Sequence, residues 1–191
     1  EVPGNSVVVR FTDHFGDDSI PASHLEGATL DFSKVTKNLR VVLGATNTIS
    51  IGAGHTLSWT GPGPARIILG TGHDTVVFQP GYTPCEIDTG DGMDQFEVLA
   101  FEPGTTVRIV GTDPDADNQL LVRTGGTDPL LLDRAGFHSG DADFTVDWAT
   151  VRKITVHDTA ATVELALGSV APDKVVVFAK TILVSDDLPA K

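Results

Sequence analysis

The sequence is short of several residue types, and each shortage removes options. It has one cysteine, Cys85, among 191 residues. No disulfide can close within the chain, and neither a cysteine zinc site nor a Cys-x-x-Cys redox pair can form. A lone thiol between Pro84 and Glu86 reads as a small core hydrophobe. No apolar run approaches the ~20 residues of a membrane-spanning helix. The first residues lack the basic and then apolar pattern of a signal peptide, so a mature form or an excised domain is expected. Basic residues are scarce: 13 Lys and Arg face 26 Asp and Glu, for a net charge of −13. Such a surface repels nucleic acid and anionic membranes, and excludes both as main partners. It suits an extracellular protein or a cation binder. Glutamate is scarce too, with six Glu against twenty Asp. Glu favours helices, whereas Asp favours turns and bonds to nearby backbone.

What is present is apolar and turn-rich. Hydrophobic residues make up 40% of the chain, enough for a packed core and too many for a disordered acidic tail. Glycine, Asp and Val dominate, a composition of short strands and tight turns. From residue 40 a loose repeat begins. Its units start near Arg40, Arg66, Glu86, Val107, Leu130, Lys153 and Lys174, at intervals of 26, 20, 21, 23, 23 and 21 residues. Each unit opens with a β-run, such as Arg66-Ile-Ile-Leu69 or Val107-Arg-Ile-Val110. A turn follows, then a second β-run, such as Thr48-Ile-Ser-Ile51, Thr75-Val-Val-Phe78, Gln95-Phe-Glu-Val98 or Phe144-Thr-Val146. A longer Gly/Pro/Thr loop leads to the next unit.

A unit of this length with two or three short strands matches one coil of a right-handed parallel β-solenoid, of β-helix or β-roll type. Alternating apolar residues would fill the interior, and each coil would pair its backbone with the coils on either side. No coil buries its apolar face alone, so the stack is expected to be one cooperative domain. Residues 1–38 read as an N-terminal cap, with a strand at Ser6–Phe11, a helical turn over Ser19–Glu26 and a strand at Ala28–Phe32. Residues 39–150 read as the coils. Residues 151–191 read as the last coils or a C-terminal β cap. The alternative fold is a β-sandwich with Greek-key links, which strands at this spacing also fit.

Three turns stand out. Gly70-Thr71-Gly72-His73-Asp74 and Gly90-Asp91-Gly92-Met93-Asp94 are the same Gly-x-Gly-x-Asp turn, 20 residues apart. Gly111-Thr112-Asp113-Pro114-Asp115-Ala116-Asp117 falls in step with them. Glycine leaves carbonyl oxygens uncovered, and the Asp adds a carboxylate beside them. Calcium takes six to eight oxygens, at roughly 2.3–2.6 Å, from this mix. In a stack, Asp74 and Asp94 would lie on one edge about 4.8 Å apart. They would repel unless they shared a cation. The expected calcium ligands are therefore Gly70, Gly72, Asp74, Gly90, Asp91, Gly92 and Asp94. Asp113, Asp115 and Asp117 form a second candidate, because Asp at alternate loop positions resembles the start of an EF-hand loop; a plain acidic hairpin loop fits them as well.

At these residues the chain resembles the haemolysin-type calcium-binding repeat (RTX) family. The likeness is best over residues 28–98, from Leu30-Asp31-Phe32-Ser33 through Ile68-Leu69-Gly70-Thr71-Gly72-His73-Asp74-Thr75-Val76-Val77-Phe78. It extends weakly to residue 146. The resemblance implies a parallel β-roll, ions in the Gly-Asp turns, and export to the bacterial surface or medium. Leu69 and Thr89 stand where the family has its first glycine, and His73 and Met93 stand where it usually has Asn or Asp.

The function expected from this reading is a non-catalytic structural or adhesive module that binds calcium. Two alternatives share the fold. One is a polysaccharide lyase or hydrolase, or its accessory module, with Asp88, Asp113, Asp115 and Arg108 gathered on one face. Trp59, Tyr82, Phe101 and Trp148 would then stack on sugar rings of a polysaccharide or cell-surface ligand. The other is a trimeric fibre segment. No Ser or Cys nucleophile has an evident base, since the six histidines are scattered among loops and turns.

Overall fold

The computed structural model describes residues 7–14, 18–19, 24–52, 55–111, 113, 117–166 and 173–184. Among these residues there are strands and turns and no α-helix. In chain order the strands are β1 Val8–Thr12, β2 Asp18–Ser19, β3 Thr29–Lys34, β4 Leu39–Leu43, β5 Thr46–Ile51 and β6 His55–Thr60. They continue as β7 Arg66–Ile68, β8 Thr75–Phe78, β9 Cys85–Asp88, β10 Gln95–Val98, β11 Thr106–Val110 and β12 Asn118–Val122. The last are β13 Leu130–Asp133, β14 Gly136–Ser139, β15 Ala142–Val146, β16 Val151–Ala166 and β17 Lys174–Val184. The protein is all-β, and every strand joins one continuous hydrogen-bonded sheet.

Two parallel ladders organise that sheet. The first runs β1, β3, β7, β9, β11, β15. The second runs β4, β8, β10, β12 and the first halves of β16 and β17. Side chains alternate in and out, so like residues stack in columns. Leu30, Ile67, Ile87, Ile109 and Val146 form one buried column along the first ladder. Leu43, Phe78, Val98, Val122 and Val156 form another along the second. Each such side chain contributes about 1.5–3 kcal/mol by leaving water. Burial of these columns stabilises the ladders that backbone hydrogen bonds join into one sheet. Phe78, Tyr82, Phe101, Phe137 and Phe144 add an aromatic cluster, with Phe137 and Phe144 stacked at 4.5 Å.

The β-runs expected from the sequence are present, but their phase differs at several places, among them Lys153–Val156, which stacks on Gln119–Val122. Val41 pairs with Val76, so Arg40–Leu43 belongs with the second runs and not with Arg66–Leu69. Thr48–Ile51 folds back antiparallel on β4, and β6 folds back on β5. Likewise Val107 pairs with Phe144, not with a residue of Leu130–Asp133. Strands β13, β14 and β15 form an antiparallel meander instead. The reason lies in chain length between rungs. Paired residues are 20 apart from β7 to β9 but 37 apart from β3 to β7 and from β11 to β15. The surplus is taken up by hairpins, whose alternation is the same as that of a stacked run. In the N-terminal segment, Ser19 lies in β2 and not at the start of a helical turn, and residues 20–23 fall outside the described ones. Asp13 ties that segment down by accepting the Thr36 N–H and Oγ1–H, both at 2.7 Å.

Candidate functional site

The Gly-x-Gly-x-Asp turns link the first ladder to the second, and they stack directly on one another. The rung holding Gly70–Asp74 sits between Val35–Asn38 and Gly90–Asp94. The Thr71 N–H donates to the Val35 carbonyl at 3.0 Å, and the Asp91 N–H donates to the Gly70 carbonyl at 3.1 Å. The glycines are needed for this close approach. A Cβ on Gly72 would lie 2.8 Å from the Lys37 carbonyl, and one on Gly92 would collide with the Gly72 carbonyl oxygen. Gly92 also has φ +112°, which side chains rarely adopt. Leu69 and Thr89, in place of a further glycine, are fully buried and extend the core to the turn.

The aspartates follow the same stacking logic. Asp74 Oδ1 accepts the Leu39 N–H at 2.7 Å, and its Oδ2 accepts the Gly70 N–H at 3.1 Å. Asp94 Oδ1 accepts the Asp74 N–H at 2.8 Å. Asn118 Oδ1 accepts the Asp94 N–H at 2.7 Å. Each side chain thus caps the first backbone donor of the second ladder one rung back. Asp74, Asp94 and Asn118 are almost wholly buried. A second column runs beside it in the opposite sense. Asn38 Oδ1 accepts the His73 N–H, and His73 Nδ1 accepts the Met93 N–H, both at 3.0 Å.

Burial raises the pKa of Asp74 above the ordinary carboxylate range, against its bonds from Leu39 and Gly70. Burial pushes Asp94 further, up to about 8; the bond from Asp74 N–H opposes this and the Asp74 charge adds to it. Asp94 Oδ2 and Asn118 Nδ2 are buried with no hydrogen-bond partner among the described residues.

Comparison with protein-family models, curated proteins and solved structures finds no match to this chain.

The structure brings together only some of the residues expected to hold calcium. Asp74 and Asp94 do come together, but three of their four oxygens accept backbone N–H groups. The Gly70 carbonyl is engaged by Asp91 N–H, and Gly72 faces Lys37 and Gly92 across tight contacts. Asp91 is exposed on the turn and does not point into the buried column with Asp94. Asp113 is half-buried, Asp117 is exposed, and Asp115 lies outside the described residues. Among the described residues no group of three or more His, Cys, Asp or Glu side chains is placed to hold a metal. The column as built is a set of backbone caps, with Asp94 Oδ2 left over.

The carboxylates and arginines of the alternative reading pair otherwise than expected. Arg66 Nη2 meets Asp88 at 2.6 Å and its Nε meets Glu86 at 3.1 Å, while Arg108 meets Glu86 at 2.8 Å. Arg108, Glu86 and Arg66 stack as an alternating charge column on the outside of the first ladder. Trp59, Tyr82 and Trp148 are buried, and Phe101 packs against the aromatic cluster. They cover core rather than offer an open stacking face.

Sequence reasoning missed Asn118, Asn38 and His73 as members of the columns. A signal was present. Leu39, Asp74, Asp94 and Asn118 each stand at or just before the start of β4, β8, β10 and β12, so the position was marked even though the residue type changes. It also missed the Asp133–His138–Asp143 bridge. His138 lies 3.2 Å from Asp133 and 2.7 Å from Asp143, across strands that only the meander brings together.

Proposed function

We propose that this chain is a non-catalytic structural module: a right-handed parallel β-solenoid with two hairpin insertions, serving as a segment of an exported bacterial surface protein. One observation carries the reading. Asp74, Asp94 and Asn118 spend their acceptors on backbone donors of the neighbouring rung. Three of the four carboxylate oxygens of Asp74 and Asp94 are taken by backbone N–H groups, which leaves a single oxygen, Asp94 Oδ2, for anything else. Supporting the solenoid, each long ladder is parallel through six strands, whereas a Greek-key sandwich joins antiparallel neighbours. The right hand follows the rule for parallel crossovers. In this reading the turns keep the Gly-x-Gly-x-Asp spacing of haemolysin-type repeats, and the Asp has become a structural cap. The rod would then stand without calcium, and a structural or adhesive role would rest on its faces.

Hydrogen exchange tests it. The amides of Leu39, Asp74 and Asp94 should be protected in EDTA as strongly as those of Ile87 and Phe96 in the core. Protection that appears only on adding calcium would overturn the proposal. It would make the Asp column an ion site instead.

A further inference from the structure

A second, separate feature lies where the second ladder ends. The corner after that ladder stacks Pro80, Ala100, Thr124 and Asp158 on successive rungs, continuing the register Phe78–Val98–Val122–Val156. Next to this corner the chain leaves a half-open cavity of about 280 Å³. Leu99, Phe101 and Leu130 form its apolar wall, and Thr124, Asp128 and Ser139 its polar one. Asp158 is among its lining residues and is 3% exposed. Its Oδ2 accepts the Thr124 hydroxyl. Its Oδ1 is buried with no hydrogen-bond partner among the described residues.

An acceptor left bare in this way is costly unless something donates to it. Thr124 donates to the other oxygen, so Oδ1 is the acceptor left over. Among the described residues no Lys or Arg lines the cavity. We propose that this cavity binds a small organic cation, an alkylammonium whose head meets Asp158 and whose short apolar body lies along Leu99, Phe101 and Leu130. Three observations favour that class. The bare, buried Asp158 oxygen calls for a donor, and an ammonium supplies several N–H groups from one head. The apolar wall offers a metal ion too few oxygens, and no metal-holding group occurs among the described residues. The cavity is smaller than a drug-sized pocket, which restricts the body to a few carbons. Asp128 is exposed at the mouth, and the net charge of −13 draws cations toward it. The site shares no residue with the Asp74–Asp94–Asn118 column, so it stands or falls separately from the structural reading above.

The test is a titration of the amide spectrum of the intact chain with butylammonium chloride, n-butanol and calcium chloride in turn. Butylammonium should shift the amides of Thr124, Gly126, Ser139 and Asp158 saturably. Butanol, which has the same apolar body, should bind about tenfold more weakly or not at all. Asp158→Asn should lose the butylammonium response about tenfold while the rest of its spectrum stays unchanged. Should that variant fail to fold, the contrast between butylammonium and butanol in the unaltered chain still decides. Asp128→Asn should weaken binding by a smaller factor. The proposal is overturned by no saturable shift at these amides, by equal responses to butylammonium and butanol, by tighter binding of calcium there, or by full binding in a folded Asp158→Asn chain.

Discussion

Asp94 accepts the backbone N–H of Asp74 at 2.8 Å, 20 residues back along the chain and one rung away in space. Two carboxylates in neighbouring rungs would ordinarily repel. Here the second one is used by the backbone of the first, and burial favours its neutral form. The turn is therefore held by hydrogen bonds that depend on which residues stack, and this makes it testable one residue at a time.

Asp74→Ala removes the acceptor for both Leu39 and Gly70 N–H, and leaves both donors buried. Each orphaned buried donor costs about 1–3 kcal/mol. Urea unfolding should show a loss of roughly 2–5 kcal/mol, with Asp74→Asn losing less because one acceptor remains. A loss below about 0.5 kcal/mol for the alanine variant would rule out the capping role.

Asp94→Asn should act in the opposite direction, and only at high pH. The folded pKa of Asp94 is raised to about 8, above its unfolded value. The protonated carboxyl therefore favours the fold: its contribution is fully present below about pH 4 and is lost as pH rises through about 8. Asparagine occupies the same column at Asn118 and caps Asp94 with its Oδ1, so the substitution keeps the bond and drops the charge. Wild type and variant should be of similar stability at about pH 5, and the variant should be more stable by on the order of 2 kcal/mol at about pH 9. Parallel stability curves across that range would refute the assignment.

Gly92→Ala should be far more damaging than Gly52→Ala. Both glycines have positive φ, which costs alanine about 1–2 kcal/mol. A Cβ at Gly52 meets nothing within 4 Å, whereas one at Gly92 strikes the Gly72 carbonyl of the next rung. Thermal melts should show a moderate shift for Gly52→Ala. Gly92→Ala should lose the cooperative transition or shift it at least twice as far.

Cys85 should not react in the native state. It is 8% exposed, and burial pushes its thiol up to about 12. Because the thiolate is the reactive form, alkylation at neutral pH should proceed only on unfolding. Rapid labelling of the folded chain would mean that β9 opens locally.

Arg66→Met separates a buried partner from an exposed one. Arg66 is 40% exposed, but the Asp88 side chain it meets is only 7% exposed. Losing the guanidinium leaves Asp88 with the Gly90 N–H at 3.3 Å. A cost of about 1–3 kcal/mol is expected once screening at the exposed end is allowed for. Arg123→Met, which breaks a pair more open to solvent with Glu97, should cost less than about 1 kcal/mol. Equal costs would show that burial of the carboxylate does not set the energy.

The strands were legible in the sequence, because alternation such as Gln95-Phe-Glu-Val98 states which side chains face the core. The in-step turns were legible too, since Gly72 and Gly92 recur at the spacing of the rungs they occupy. The pairing was less legible. Arg40–Leu43 alternates like Arg66–Ile68, and nothing local says that it stacks on Thr75–Phe78. The role of Asp74 and Asp94 was also hidden. A carboxylate beside glycines can face a cation or a backbone amide, and the sequence does not say which lies opposite.

By itself, then, the sequence determined an all-β chain whose apolar columns need neighbours, because period-two burial and tight glycine turns are local properties. The tertiary structure decided the rest. It placed the hairpins where paired strands lie 37 rather than 20 residues apart, and it set Asp94 over the Asp74 amide. It also brought Asp158 and Thr124, 34 residues apart, to one corner. These are contacts between rungs, and only the register of parallel strands fixes which residues meet.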